Sequence, residues 1–246
     1  MSLGYLVLEV RRALRSPGTL LFTIGFPAMF YLLEMMLFKD AAGGALTEDY
    51  PLTIMVGLSA WGLMTAGLLL GTRVVHERTV GWQRQLRLTP LSGAGFLLGK
   101  VTVGMAVALP TALVVPLVAV LAEGVTLTPG GWLSATVVMW LGSFPFSVMG
   151  LFIGQLAGKD NVQNIVIVAM LLFAMFGGLF MPLETLPSWW TTVAWFVPSY
   201  WLAEIGRAGV VPGTGDALLA AAVLAGWSAV LALGVILRYR RDSARV

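Results

Sequence analysis

The sequence predicts an all-α polytopic membrane protein, a single transmembrane domain over residues 1–246 with six spanning helices. Three observations carry this reading. Hydrophobic residues make up 58% of the 246 and charged residues 11%, where a soluble domain has about a quarter of its residues charged. Apolar runs fall at about 17–38, 51–72, 101–122, 131–157, 162–181 and 217–237, each close to the roughly 20 residues that cross about 30 Å of hydrocarbon as a helix. The cations are also segregated along the chain in a way that only an even number of crossings explains.

The first 15 residues are amphipathic. Leu3, Leu6, Val7, Val10 and Leu14 recur at helical spacing, with Glu9, Arg11, Arg12 and Arg15 between them, as expected of a helix lying in the membrane interface. The first apolar run is too long for a signal-peptide core and no small-residue cleavage site follows it, so a retained N-terminus is expected. Span 1 contains Pro27, a candidate kink, and Glu34 in its far third. A carboxylate is costly at the bilayer centre, so Glu34 sits near the outer headgroups or faces a polar interior, and the first placement is favoured.

Span 2, at 51–72, is uncharged and carries Gly67 and Gly71. Span 4 ends in Gly150, Gly154 and Gly158. Small residues four apart permit close helix approach, so these five glycines are the expected packing positions. Span 3 holds Pro110 and Pro116, tolerated in a membrane where neighbours satisfy the freed carbonyls.

Between spans 2 and 3 lies a long polar interruption, 73–100, with five of the 15 Lys and Arg residues and the sole His. Residues 73–88 have the pattern of one helix with Val75, Trp82 and Leu86 near one side, broken by Thr89-Pro90. Glu77 is expected to pair with Arg73 one turn earlier. The segment 182–216 is ambiguous. Its 185–203 stretch is uncharged and of spanning length, yet holds Pro187, Pro198 and a concentration of Trp and Tyr, which gather at membrane interfaces.

Charge resolves the parity. With six spans one side holds Arg11, Arg12 and Arg15, the five cations of 73–100, Lys159, and the tail arginines 238, 240, 241 and 245, which is 13 of the 15. The other side keeps only Lys39 and Arg207 against seven carboxylates. The positive-inside rule puts both termini in the cytoplasm. A seventh crossing at 185–203 would put the basic tail outside, so 182–216 is expected to be a re-entrant or interfacial element on the outer face.

Catalytic motifs are missing. The stretch 94–101, AGFLLGKV, fails a phosphate-binding loop at its first and last positions. His76 is alone and there is no cysteine, so a histidine-rich or thiolate metal site within one chain and a Cys nucleophile are excluded. The spans hold almost no ionisable group to relay an ion. Whatever drives this protein is expected to lie on another chain.

Two stretches carry a resemblance. One is Glu77-Arg78-Thr79-Val80-Gly81 followed by Gln85-Leu86-Arg87-Leu88-Thr89-Pro90; the other is Gly178-Leu179-Phe180-Met181-Pro182 with Leu186-Pro187, Pro198 and Arg207. In register with six spans, they make the chain resemble the membrane subunit, or permease, of bacterial ABC exporters of the ABC-2 type. It departs at Trp82-Gln83-Arg84, where members often carry small or acidic residues.

The resemblance implies a partner for each function the chain lacks. A second permease, identical or homologous, would complete the translocator in the cell (inner) membrane, surrounded by lipid. Two copies of a cytoplasmic ATPase subunit would bind ATP and Mg2+, with no cofactor on this chain and no nucleic acid. The 73–100 loop would hold the coupling helix, with Glu77, Arg78, Gly81, Trp82, Arg84, Leu86, Thr89 and Pro90 at or near the ATPase contact. Trp61, Met64, Phe173, Met175 and Phe176 of spans 2 and 5 would line a path for an apolar or amphipathic substrate such as a drug, lipid, peptide or glycolipid. Pro182, Pro187, Pro198, Glu204 and Arg207 would mark the outer element. The competing reading is a membrane scaffold or channel that needs no ATPase.

Overall fold

The computed structural model describes residues 3–38, 49–81, 93–181, 183, 186–211 and 213–243. Among these there is no strand. The amphipathic N-terminal segment forms α1 (Leu3–Leu14). The first apolar run is α2 (Pro17–Phe38). Then come α3 (Tyr50–Thr79), α4 (Gly93–Glu123) and α5 (Pro129–Leu156). The remainder is α6 (Val162–Phe176), α7 (Ser188–Ala194), α8 (Pro198–Val210) and α9 (Ala217–Ser243). Five of these helices are long and apolar enough to cross a bilayer: α2, α3, α4, α5 and α9.

The fifth predicted span is shorter than expected. It is helical only over Val162–Phe176, about 22 Å. Gly177 ends it, Gly178 takes a left-handed φ of 63°, and the chain folds back so that the Leu179 carbonyl rests against Gly57 of α3. A Cβ on Gly57 would lie 2.2 Å from that oxygen. The glycines therefore replace the last turns of the predicted span with a tuck into the bundle.

Helix α3 is the axis. Every residue from Ile54 to Leu68 is buried, as befits a segment apolar all round. The outer helices expose large side chains instead: Phe22 and Met29 on α2, Leu113 and Leu121 on α4, Val168 and Leu171 on α6, Val230 and Leu233 on α9. So much exposed apolar surface would aggregate in water and is matched by hydrocarbon.

Two local sequence features fit helices to the bundle. Pro27 has no N–H for the carbonyl of Thr23. The backbone widens there into a π turn over Leu21–Gly25, and the hydroxyl of Thr111 on α4 donates to Thr23 O at 3.0 Å. The close approach of α3 and α5 is built from paired glycines. A Cβ on Gly71 would sit 2.7 Å from Gly150 O, and one on Gly150 would sit 2.2 Å from Gly67 O. Gly154 faces Gly71 O and Val74. Gly158 has no described neighbour within 4 Å; the packing strip stops at Gly154, because α5 ends at Leu156.

The segment before α9 does not cross the bundle. Along α5 and α9, Gly142 meets Leu224 and Gly234 meets Phe152, so the two helices run parallel. Helix α8 packs beside the start of α5, where Ser134 Oγ donates to Ile205 O at 3.1 Å. The chain thus enters and leaves α7–α8 at one end of the bundle, and α9 returns to the end where α1 lies. Asp216 caps α9 by accepting from the Leu218 and Leu219 N–H groups at 3.1 and 3.0 Å.

The glycine contact makes a direct prediction. Gly150→Ala is expected to cost about 1–3 kcal/mol by overpacking, lowering the melting temperature in detergent by several degrees, whereas Gly158→Ala leaves it unchanged. Equal melting of the two variants would contradict the glycine-paired interface.

Candidate functional site

The candidate site is a buried charged node at the end of the bundle that bears the 82–92 connection. It is assembled on Leu70–Thr79, the last part of α3. Lys100 on α4 is 1% exposed. Its ammonium lies 2.9 Å from both carboxylate oxygens of Glu9 on α1 and 2.7 Å from Glu77 Oε1 on α3. One cation therefore holds three helices together. Phe96, one turn earlier on α4, places its ring 5.6 Å from the same ammonium.

The neighbouring side chains of α3 reach the other helices. Arg73 donates to Thr19 Oγ1 of α2 at 3.0 Å. Arg78 donates to Gln155 O at 3.2 Å and also to Ala157 O. Those carbonyls close the C-terminal end of α5, where no further helical N–H is present to bond them. Gly71 makes the close contact with Gly150. Within ten residues α3 is thus fastened to α1, α2, α4 and α5, immediately before the chain leaves at Val80 and Gly81. Gly81 has a φ of 75°, the left-handed conformation that ends helices and favours glycine.

This geometry corrects several expectations. Glu77 pairs with Lys100, not with Arg73. An Arg placed four residues before a Glu is the weaker order for a helical pair, while a buried ammonium requires anionic partners. The helix predicted over 73–88 ends at Thr79. The predicted loop 73–100 is partly helix at both ends, because α4 begins at Gly93 and carries Lys100 into the bundle. Arg78 binds α5 and Gly81 shapes the helix terminus. Trp82, Arg84, Leu86, Thr89 and Pro90, with the break proposed at Thr89-Pro90, lie outside the described residues.

The proposed path residues do not share one lining. Trp61 and Met64 are buried within the chain. Trp61 belongs to an aromatic cluster with Phe26 at 5.5 Å and Phe180 at 5.0 Å, ring centre to ring centre. Phe173 meets Phe146 edge-on at 6.2 Å, Phe176 stacks on Trp190 at 5.1 Å, and Met175 is exposed. At the opposite end, Pro187 and Pro198 introduce α7 and α8, and Glu204 accepts from Arg207 at 2.8 Å. Pro182 lies outside the described residues. Glu34 is near the end of α2 but points inward: it is 6% exposed and accepts from Tyr50 OH at 2.9 Å. The phenol at the start of α3 thus gives the carboxylate a partner inside the bundle.

Sequence reasoning missed Glu9 and Thr19 as partners of the node. The available signal was Lys100 itself, which follows the apolar run Gly95-Phe96-Leu97-Leu98-Gly99 and precedes an uncharged span. A lysine embedded in apolar sequence calls for carboxylate partners.

Among the described residues, an all-helical bundle with five helices long and apolar enough to cross a bilayer is the architecture of a multi-pass membrane protein. The chain belongs to the ABC-2 type transporter family, whose model matches residues 6–211. It is similar to the protein named "Putative transport permease YvfS" of Bacillus subtilis (strain 168), at 26% identity over 195 residues that cover 79% of each chain.

Removing the central cation tests the node. Lys100→Met leaves two carboxylates facing each other in a buried site and is expected to destabilise the protein by about 3–5 kcal/mol. Adding Glu9→Gln and Glu77→Gln should restore part of the loss. Thermal melting in detergent measures both, and an unaltered Lys100→Met protein would refute the arrangement.

Proposed function

We propose that this chain is the membrane subunit of an ATP-driven exporter, moving an apolar or amphipathic substrate outward. It works with two copies of a separate cytoplasmic ATPase subunit and a second permease, identical or homologous, in the inner membrane. ATP and Mg2+ belong to the ATPase, and this chain performs no catalysis. The basic end, with α1, the 82–92 connection and the end of α9, faces the cytoplasm.

The observation that carries this reading is the convergence of four contacts on Leu70–Thr79. A force applied to the 82–92 connection meets a helix already joined to α1, α2, α4 and α5. Rigid coupling of that kind converts a local displacement into a change in the relative tilt of packed helices, because close-packed interiors transmit strain. The bias of cations toward this end supports its cytoplasmic placement. The family supports an ATPase as the source of the force.

Co-purification from the native host in mild detergent tests the reading. The tagged chain should bring down a nucleotide-binding subunit. Trp82→Ala should reduce that recovery about tenfold or more, the loss typical of a buried aromatic anchor, and replacing 82–90 with Gly and Ser should abolish it. Recovery of the folded chain alone under several gentle conditions would favour a scaffold or channel instead.

A further inference from the structure

Beside the node is a cavity of about 360 Å3 between α1, the end of α3 and α4. That volume reaches the lower size of small-ligand sites, roughly 300 Å3. Its polar lining includes Glu9, Arg12, Ser16, Arg73, His76 and Glu77. Both carboxylates contact Lys100, and the guanidinium groups of Arg12 and Arg73 lie within electrostatic reach of Glu77. Among the described residues, Arg73 has one hydrogen bond, to Thr19, and a guanidinium has five N–H donors. Arg12 and Arg73 line the cavity together with Glu9 and Glu77, whose carboxylates are held by the Lys100 ammonium.

The depth of the cavity limits what can occupy it. Helix α1 exposes Val7 and Leu8 beside Arg11 and Arg12, the pattern of a helix lying at the boundary of headgroups and acyl chains. Leu21 and Phe22, in the first turns of α2, are also exposed. The cavity therefore lies at headgroup level beside surface suited to acyl chains. Guanidinium forks match phosphate oxygens.

We propose that this cavity is a binding site for the phosphodiester of an anionic membrane phospholipid, held by Arg12 and Arg73 with His76 and Ser16 as further hydrogen-bonding groups. Occupancy would brace α1 against α3 beside the Lys100 node. The inference does not depend on the exporter reading, since it concerns binding by this chain alone.

The test uses the purified full chain, delipidated in maltoside detergent and followed by thermal melting. Phosphatidylglycerol is added in one arm, phosphatidylcholine in a second, and soluble glycerophosphoglycerol in a third. Phosphatidylglycerol at about a hundredfold above its dissociation constant is expected to raise the midpoint by roughly 5 °C or more. Phosphatidylcholine should do less, and Arg12→Gln and Arg73→Gln should each remove most of the difference. Thr19→Val, which removes the partner of Arg73 but no cation, should keep it. An equal shift with glycerophosphoglycerol would establish the site with a soluble phosphodiester as its occupant and overturn the lipid assignment. No shift with either compound, or a shift that survives both arginine substitutions, would overturn the proposal.

Discussion

Lys100, enclosed between Glu9 and Glu77, is the interaction on which the loop-bearing end of this protein depends. A buried ion pair contributes little net stability against a well-packed apolar substitute, but once built it cannot lose one member without leaving a charge stranded. Here the three members come from α1, α3 and α4. Their geometry therefore specifies which helices meet, and where, more than it adds to overall stability. The same ten residues of α3 carry Arg73 to α2 and Arg78 to the end of α5. A helix so fastened moves as part of a group.

The rest of the bundle is organised by how closely backbones approach. Helix α3 is buried along most of its length and meets α5 through Gly67, Gly71, Gly150 and Gly154. In lipid, where apolar side chains gain nothing by leaving one solvent for a similar one, such contacts carry much of the association between helices. The glycines and the charged node lie on one continuous part of α3. Close packing and electrostatic fastening thus reinforce each other where the polar connection departs.

The opposite end uses different means. Gly177 and Gly178 stop α6 early, and the following strand of chain seats Phe180 on Trp61 and Phe26. Ser134 and Ser199 anchor α8 by donating to the carbonyls of Ile205 and Phe173. These are neutral hydrogen bonds and ring contacts, and the Glu204–Arg207 pair adds a salt bridge within α8. Among the described residues, the loop-bearing end is therefore cross-linked between helices by buried charges, and the opposite end by neutral hydrogen bonds and aromatic contacts. In the exporter reading, this separates the part that receives force from the part that meets the substrate's exit.

The sequence by itself determined the helical class, the approximate positions of five spans and the shared end of the two termini, because each follows from apolar run length and cation placement. It also marked four of the glycines that pack α3 against α5, since small residues four apart lie on one helical face. Tertiary structure decided the partners. Glu9 and Lys100 are 91 residues apart, and no local pattern states that they meet. Likewise the spacing of Arg73 and Glu77 suited a pair, yet a buried ammonium from another helix claimed the carboxylate. The early end of α6 was also a tertiary outcome: Gly177 and Gly178 permit a turn, but only the recess at Gly57 gives the folded-back chain a place to pack. Periodicity and charge report what one segment prefers, whereas long-range pairing depends on which buried groups would otherwise remain unsatisfied.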